Sequence, residues 1–66
     1  MEISVGSEFI QCKIGAVAHV INIIINTETF STTIEYEWLT LKGEKIESES
    51  YSVLVSDFIN MVTDSK

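Results

Sequence analysis

The chain has 66 residues, a formal net charge of −6 and 45% hydrophobic residues. These values predict a single folded domain over residues 1–66, because the chain is too apolar for disorder and too short for two cores. The chain has ten carboxylates, four lysines and no arginine. This composition argues against binding to nucleic acids or anionic membranes, since both need basic side chains.

The first half of the chain favours strands because isoleucine, valine and threonine dominate it. We predict a short strand over 9–13, a turn at Gly15 and a second strand over 16–26. Both faces of the second strand are mostly apolar, so we expect it to be central and covered on both sides. One face carries Val17, His19, Ile21, Ile23 and Ile25, and the other carries Ala18, Val20, Asn22 and Ile24.

A third strand is predicted over 30–39, where residues alternate in polarity. Its expected inward face is Phe30, Thr32, Ile34, Tyr36 and Trp38, and its outward face includes Glu35 and Glu37. Gly43 suits a turn with positive φ. The chain is then expected to return through 44–50, with a bulge or bend before Tyr51, and to end its last strand at 51–55.

The hydrophobic period changes near the end of the chain. Val55, Phe58, Ile59 and Val62 have the spacing of one helical face. Ser56 is the expected N-cap, and Asp57 in the first turn suits the helix dipole. The predicted fold is therefore mainly β, or α+β: a small antiparallel sheet of four to five strands with a short C-terminal helix.

Catalytic chemistry has few candidates, because Cys12 is the only cysteine and His19 the only histidine. A buried structural cysteine and a packed or edge histidine are favoured over a Cys12–His19 thiolate pair. No metal-ligand spacing or glycine-rich phosphate loop is present. We predict a protein that is not an enzyme, with no catalytic, cofactor-binding or metal-binding residues.

Binding to another protein is the remaining prediction. The candidate surface is the acidic hairpin formed by Glu35, Glu37, Glu47 and Glu49 together with Trp38. Tryptophan is enriched at interface hot spots, although it also serves as a core residue. The glutamates equally fit a solvated hairpin face that keeps the protein soluble and protects a sheet edge. Trp38 is therefore open to an interface or a core role, and the glutamates to a binding surface or a solvated face.

The location of the protein is predicted from its N-terminal region, its apolar segments and its cysteine content. The N-terminus has no signal-peptide pattern. The apolar run 14–25 is twelve residues long, whereas a spanning helix needs about 20. A lone thiol fits a reducing compartment. We expect a cytoplasmic protein that is a complete small gene product.

The order "VGSEF", "IGAVAHVINI", "TIEYEWLTLKGEKIESES" and "VSDFINMV" resembles a layout found in small bacteriophage proteins with SH3-like barrels. The resemblance covers most of the chain but consists of core and turn positions, so it transfers no functional residue. It implies a phage accessory protein that acts in the host cytoplasm. The missing arginines depart from SH3-like members that bind nucleic acids.

The leading functional hypothesis is a small acidic module that inhibits or modulates a host protein. Two alternatives stay open. One is a DNA mimic whose carboxylates imitate phosphates. The other is a self-associating structural subunit, such as a virion component, in which the isoleucine-rich strand pairs between copies.

Overall fold

The chain folds into one open antiparallel sheet and a short helix. The computed structural model describes residues 2–11, 13–62 and 64–65. The strands follow the order β4-β3-β2-β1-β5 across the sheet, which confirms the predicted mainly β fold class in its small-sheet form. The elements are β1 (Glu8–Gln11), β2 (Ala16–Asn26), β3 (Ser31–Leu39), β4 (Tyr51–Leu54), α1 (Val55–Met61) and β5 (Asp64–Ser65).

A tight turn joins β1 to β2, as predicted. The N–H groups of Ile14 and Gly15 both donate to the carbonyl of Gln11. Gly15 has a φ of +64°, a left-handed conformation that glycine adopts without steric cost. The predicted first strand was too long, because β1 ends at Gln11 and Lys13 lies in the turn. Cys12, interpreted as a buried structural residue, lies outside the described residues.

Strand β2 has the predicted bounds and lies inside the sheet, between β1 and β3. The expectation that it is covered on both sides is wrong for its second half. Ala16, Val17, Ala18 and Val20 are buried, but Ile24 and Ile25 are 46% and 70% exposed. The second half is exposed because β1 is shorter than β2 and pairs only with the stretch from Ala16 to His19.

The predicted faces of β2 are also wrong after its middle. The pairing with β3 shifts by one residue between Val20 and Asn22, and such a bulge moves every later side chain to the opposite face. Val20 pairs with Tyr36 and Ile23 pairs with Ile34. Val20 and Ile23 therefore share the core face, although simple alternation from residue 16 separates them.

The connection between β3 and β4 is irregular. Gly43 has the expected positive φ, +93°, and its N–H donates to the carbonyl of Thr40. Residues 44–50 form no strand beyond a single bridge between Leu39 and Lys45. β4 then covers residues 51–54, and Val55 belongs to the helix rather than to the last strand.

Helix α1 follows β4 without a loop. Ser56 is not its N-cap: the cap position is Leu54, which is extended and contributes no side-chain hydrogen bond. Asp57 lies in the first turn as predicted. Ile59 was expected on the buried face but is 42% exposed. In the part of the chain that the structure describes, no helix is long and apolar enough to cross a membrane.

The main core lies between the sheet and α1. Phe58 is fully buried and meets two aromatic rings edge-on, with centroid distances of 5.6 Å to Phe9 and 5.4 Å to Tyr36. These contacts hold the helix on one face of the sheet. The buried cluster is Phe9, Ala18, Val20, Ile34, Tyr36, Phe58 and Val62.

Candidate protein-binding surfaces

The four predicted glutamates do not form one patch. Side chains alternate between the faces of a strand, so Glu35 and Glu37 point away from the face that carries Tyr36. Tyr51 pairs with Tyr36, and its hydroxyl donates to the Glu47 carboxylate. Glu47 therefore lies beside the tyrosine face. The structure brings Glu35 and Glu37 together and places Glu47 on the other side of the sheet.

The cause of this separation is the register of β4. Glu35 lies opposite Ser52, because the irregular segment 40–50 delays the return of the chain until residue 51. Negative charge near Tyr51 also includes Glu49, since both glutamates raise the pKa of the Tyr51 hydroxyl. The hydrogen bond to Glu47 is the largest cause of that rise in pKa.

Glu37 belongs to a polar row that crosses three strands. Glu8 pairs with His19 and His19 pairs with Glu37, in direct register. His19 Nδ1 lies 3.0 Å from Glu8 Oε2, and Lys45 Nζ lies 3.0 Å from Glu37 Oε2. The Glu37 charge thus has a partner within the chain, which weakens its attraction for a basic surface elsewhere.

His19, predicted to be a packed or edge histidine, lies in the same polar row. The histidine is half-buried and paired with Glu8. Among the described residues, no group of three or more histidine, cysteine, aspartate or glutamate side chains could hold a metal ion. The contacts of His19 are those of a packed histidine whose ring nitrogen lies within hydrogen-bond distance of a carboxylate.

Trp38 packs against the edge of the core. Its ring meets Tyr36 edge-on at 5.3 Å, and Tyr36 in turn stacks on Tyr51 at 5.8 Å. Burial raises the pKa of Tyr36, with a smaller contribution from the charge of Glu47. Trp38 remains half-exposed, so it serves the core and leaves part of its ring at the surface.

The most exposed large hydrophobic surface lies at the far end of the β2–β3 hairpin. We call residues 22–33 the arm, because they extend beyond the stretch of β2 that pairs with β1. The long axis of the molecule is 38 Å, against 23 and 17 Å for the other two. Exposed side chains of the arm include Ile24, Ile25 and Phe30.

Phe30 forms the tip of the arm. It was predicted to point inward from the third strand, but it precedes β3, is 92% exposed and has a φ of +54°. A bulky residue in this left-handed conformation is an uncommon, strained choice. The turn that imposes it is held by Asn26, whose Oδ1 accepts the N–H groups of Glu28 and Thr29.

Sequence analysis therefore missed the arm tip, although two signals pointed to it. Asn26 begins a polar segment, and asparagine side chains commonly form such turns with their own backbone. A predicted first strand of five residues also cannot cover a second strand of eleven. Both facts indicate that the end of the hairpin extends past the first strand.

Comparison with known proteins finds no match to this chain among protein families, curated proteins or solved structures. Functional inference therefore depends on the surfaces of the chain itself.

Proposed function

We propose that this protein is a small, acidic, non-enzymatic module that binds another protein through the tip of its arm. The observation that carries the proposal is Phe30, a large apolar side chain that is 92% exposed on a backbone of positive φ. Glycine or asparagine would fit that backbone with less strain. A strained and exposed phenylalanine is best explained by what its ring contacts outside the chain.

The chemistry around Phe30 indicates the kind of partner. Phenylalanine is enriched in the buried centres of interfaces, where it fills apolar pockets. Glu28 lies two residues away, and the whole chain carries a net charge of −6. An apolar pocket with a basic rim matches both features, because complementary charge steers association and fixes orientation.

The resemblance to small phage proteins supports a biological setting for this activity. In that setting the protein acts in the cytoplasm of an infected bacterium, and the pocket belongs to a host protein that it inhibits or modulates. The acidic hairpin then contributes long-range attraction, while Phe30 supplies the contact that holds the complex.

The test is capture from a bacterial lysate with three immobilised proteins. These are the wild type, Phe30→Gly, and Leu41→Ser as a control at an exposed apolar residue outside the arm. We expect a host protein that the wild type and the control retain and that Phe30→Gly loses. A protein retained equally by all three would contradict binding through the tip.

The same experiment separates the two alternatives. A DNA mimic would retain a nucleic-acid-binding protein that duplex DNA releases, and its retention would depend on carboxylates rather than on Phe30. A structural subunit would retain only further copies of itself. Either result would replace the proposed function.

A further inference from the structure

The arm also carries an unpaired strand edge. The N–H of Val20 donates to the Ser7 carbonyl, and the Val20 carbonyl accepts the N–H of Gly6. Within residues 2–11 and 13–62, the pairing on this side of β2 stops there, while β3 continues to pair with the other side as far as Asn26. Residues 21–26 of β2 therefore have one open edge.

A side-chain contact identifies which backbone groups face that edge. The N–H of Ile23 bonds to the Asn22 side-chain oxygen at 3.0 Å, not to β3. Strand amides alternate in direction, so Ile23 and Ile25 face the open edge while Ile24 faces β3. An exposed strand edge that is uncharged and rich in isoleucine is a ready template for another strand.

We infer that this edge pairs with the same edge of a second copy of the chain, in antiparallel register about Ile24. The segment Asn22-Ile23-Ile24-Ile25-Asn26 reads the same in both directions. Pairing about its centre places Ile24 opposite Ile24 of the second copy and Ile23 opposite Ile25. The outward-facing N–H and C=O groups of Ile23 and Ile25 then bond to those of the second copy, which forms about four hydrogen bonds between the strands.

Other registers fit less well. A centre at Ile23 would place Asn26 of one copy against Val20 of the other, where Ser7 already pairs. A centre at Ile25 would extend the pairing into the turn at residue 27. The register about Ile24 uses the whole open edge and displaces only the bond between Asn22 and the Ile23 N–H.

Charge also favours a self-contact at this edge. The chain carries a net charge of −6, so two copies repel each other over most of their surfaces, but residues 21–26 bear no charge. Salt screens that repulsion. Self-association should therefore strengthen as salt increases, whereas binding of an acidic tip to a basic pocket should weaken.

Disulfide trapping tests the register. In a Cys12→Ser background, Ile24→Cys places two thiols in the closely spaced, non-hydrogen-bonded pair, where Cα atoms are about 4.5 Å apart. In Ile25→Cys the same geometry separates the Cα atoms by about 8 Å, beyond the ~7 Å limit for a disulfide. We expect covalent dimers from Ile24→Cys and not from Ile25→Cys. Absence of dimers from Ile24→Cys, or faster trapping of Ile25→Cys, would overturn the proposal.

Sedimentation of the unmodified chain provides the second measurement. We expect a concentration-dependent dimer that Ile24→Lys abolishes, because two lysines would lie directly opposite each other. The control is Ile14→Lys, at another exposed apolar residue in the β1–β2 turn, which should leave the dimer intact. A wild type that stays monomeric at its highest soluble concentration in high salt would contradict self-pairing. This result is independent of whether Phe30 binds a host protein.

Discussion

The two halves of the β2–β3 hairpin belong to the same pair of strands but have opposite environments. In the body of the sheet, Ala18 and Val20 are fully buried, since β1 lies beside β2 and α1 covers the face. In the arm, Ile25 on β2 and Phe30 in the turn before β3 are exposed. Apolar residues thus form a strand in both places, but neighbouring elements decide whether that strand is core or interaction surface.

The largest expected effect is a difference in stability between substitutions at two phenylalanines. Phe58→Ala should destabilise the fold by about 3–5 kcal/mol, because it removes a fully buried ring. For a domain of this size, that is a large share of the total stability. Phe30→Ala should change stability by less than about 0.5 kcal/mol. Chemical denaturation of both variants measures the contrast, and equal losses would show that the tip is packed.

The stability of the body should also depend on pH in the alkaline range. Folding raises the pKa of Tyr36 above its ordinary value, mainly through burial. The contribution of Tyr36 to stability is therefore complete below the unfolded pKa, about 10. It is lost as the pH rises through the higher folded pKa.

We expect alkaline unfolding of the body that Tyr36→Phe reduces. Thermal melts from pH 8 upward would show it. An identical alkaline decline in Tyr36→Phe would exclude this tyrosine as the cause.

A smaller effect is expected from the polar row. Glu37→Lys breaks the ion pair with Lys45, and the loss should be under about 1 kcal/mol because Lys45 is largely exposed. Glu35→Lys serves as the control, since it changes the same charge on the same face without breaking that pair. If retention of the partner survives both reversals, the arm rather than the acidic hairpin provides the contact.

The smallest expected effect has the opposite sign. Phe30→Gly relieves the left-handed strain of a bulky residue, although glycine gives the unfolded chain more freedom. We expect stability to stay equal or to rise by a few tenths of a kcal/mol, up to about 1. Thermal denaturation checks this, and a clear loss of stability would mean that the ring has a structural role.

The sequence predicts the scaffold better than the surface. Bounds of β2, the positive φ of Gly43 and the buried position of Phe58 follow from local pattern and turn chemistry. The bulge after Val20 reverses the face of Ile23, and no local pattern reveals it, because both faces of the strand are apolar. The positions of Glu47 and Phe30 depend on where strands end, which is set by pairing between distant segments.

The most direct test of the difference between body and arm is amide hydrogen exchange at low protein concentration. Val20 and Ile23 both direct their N–H groups to the same side of β2, but Val20 has the Ser7 carbonyl as its partner and Ile23 has only the Asn22 side chain. We predict slow exchange at Ala18 and Val20 and fast exchange at Ile23 and Ile25. Equal protection of all four amides in dilute protein would contradict an exposed arm.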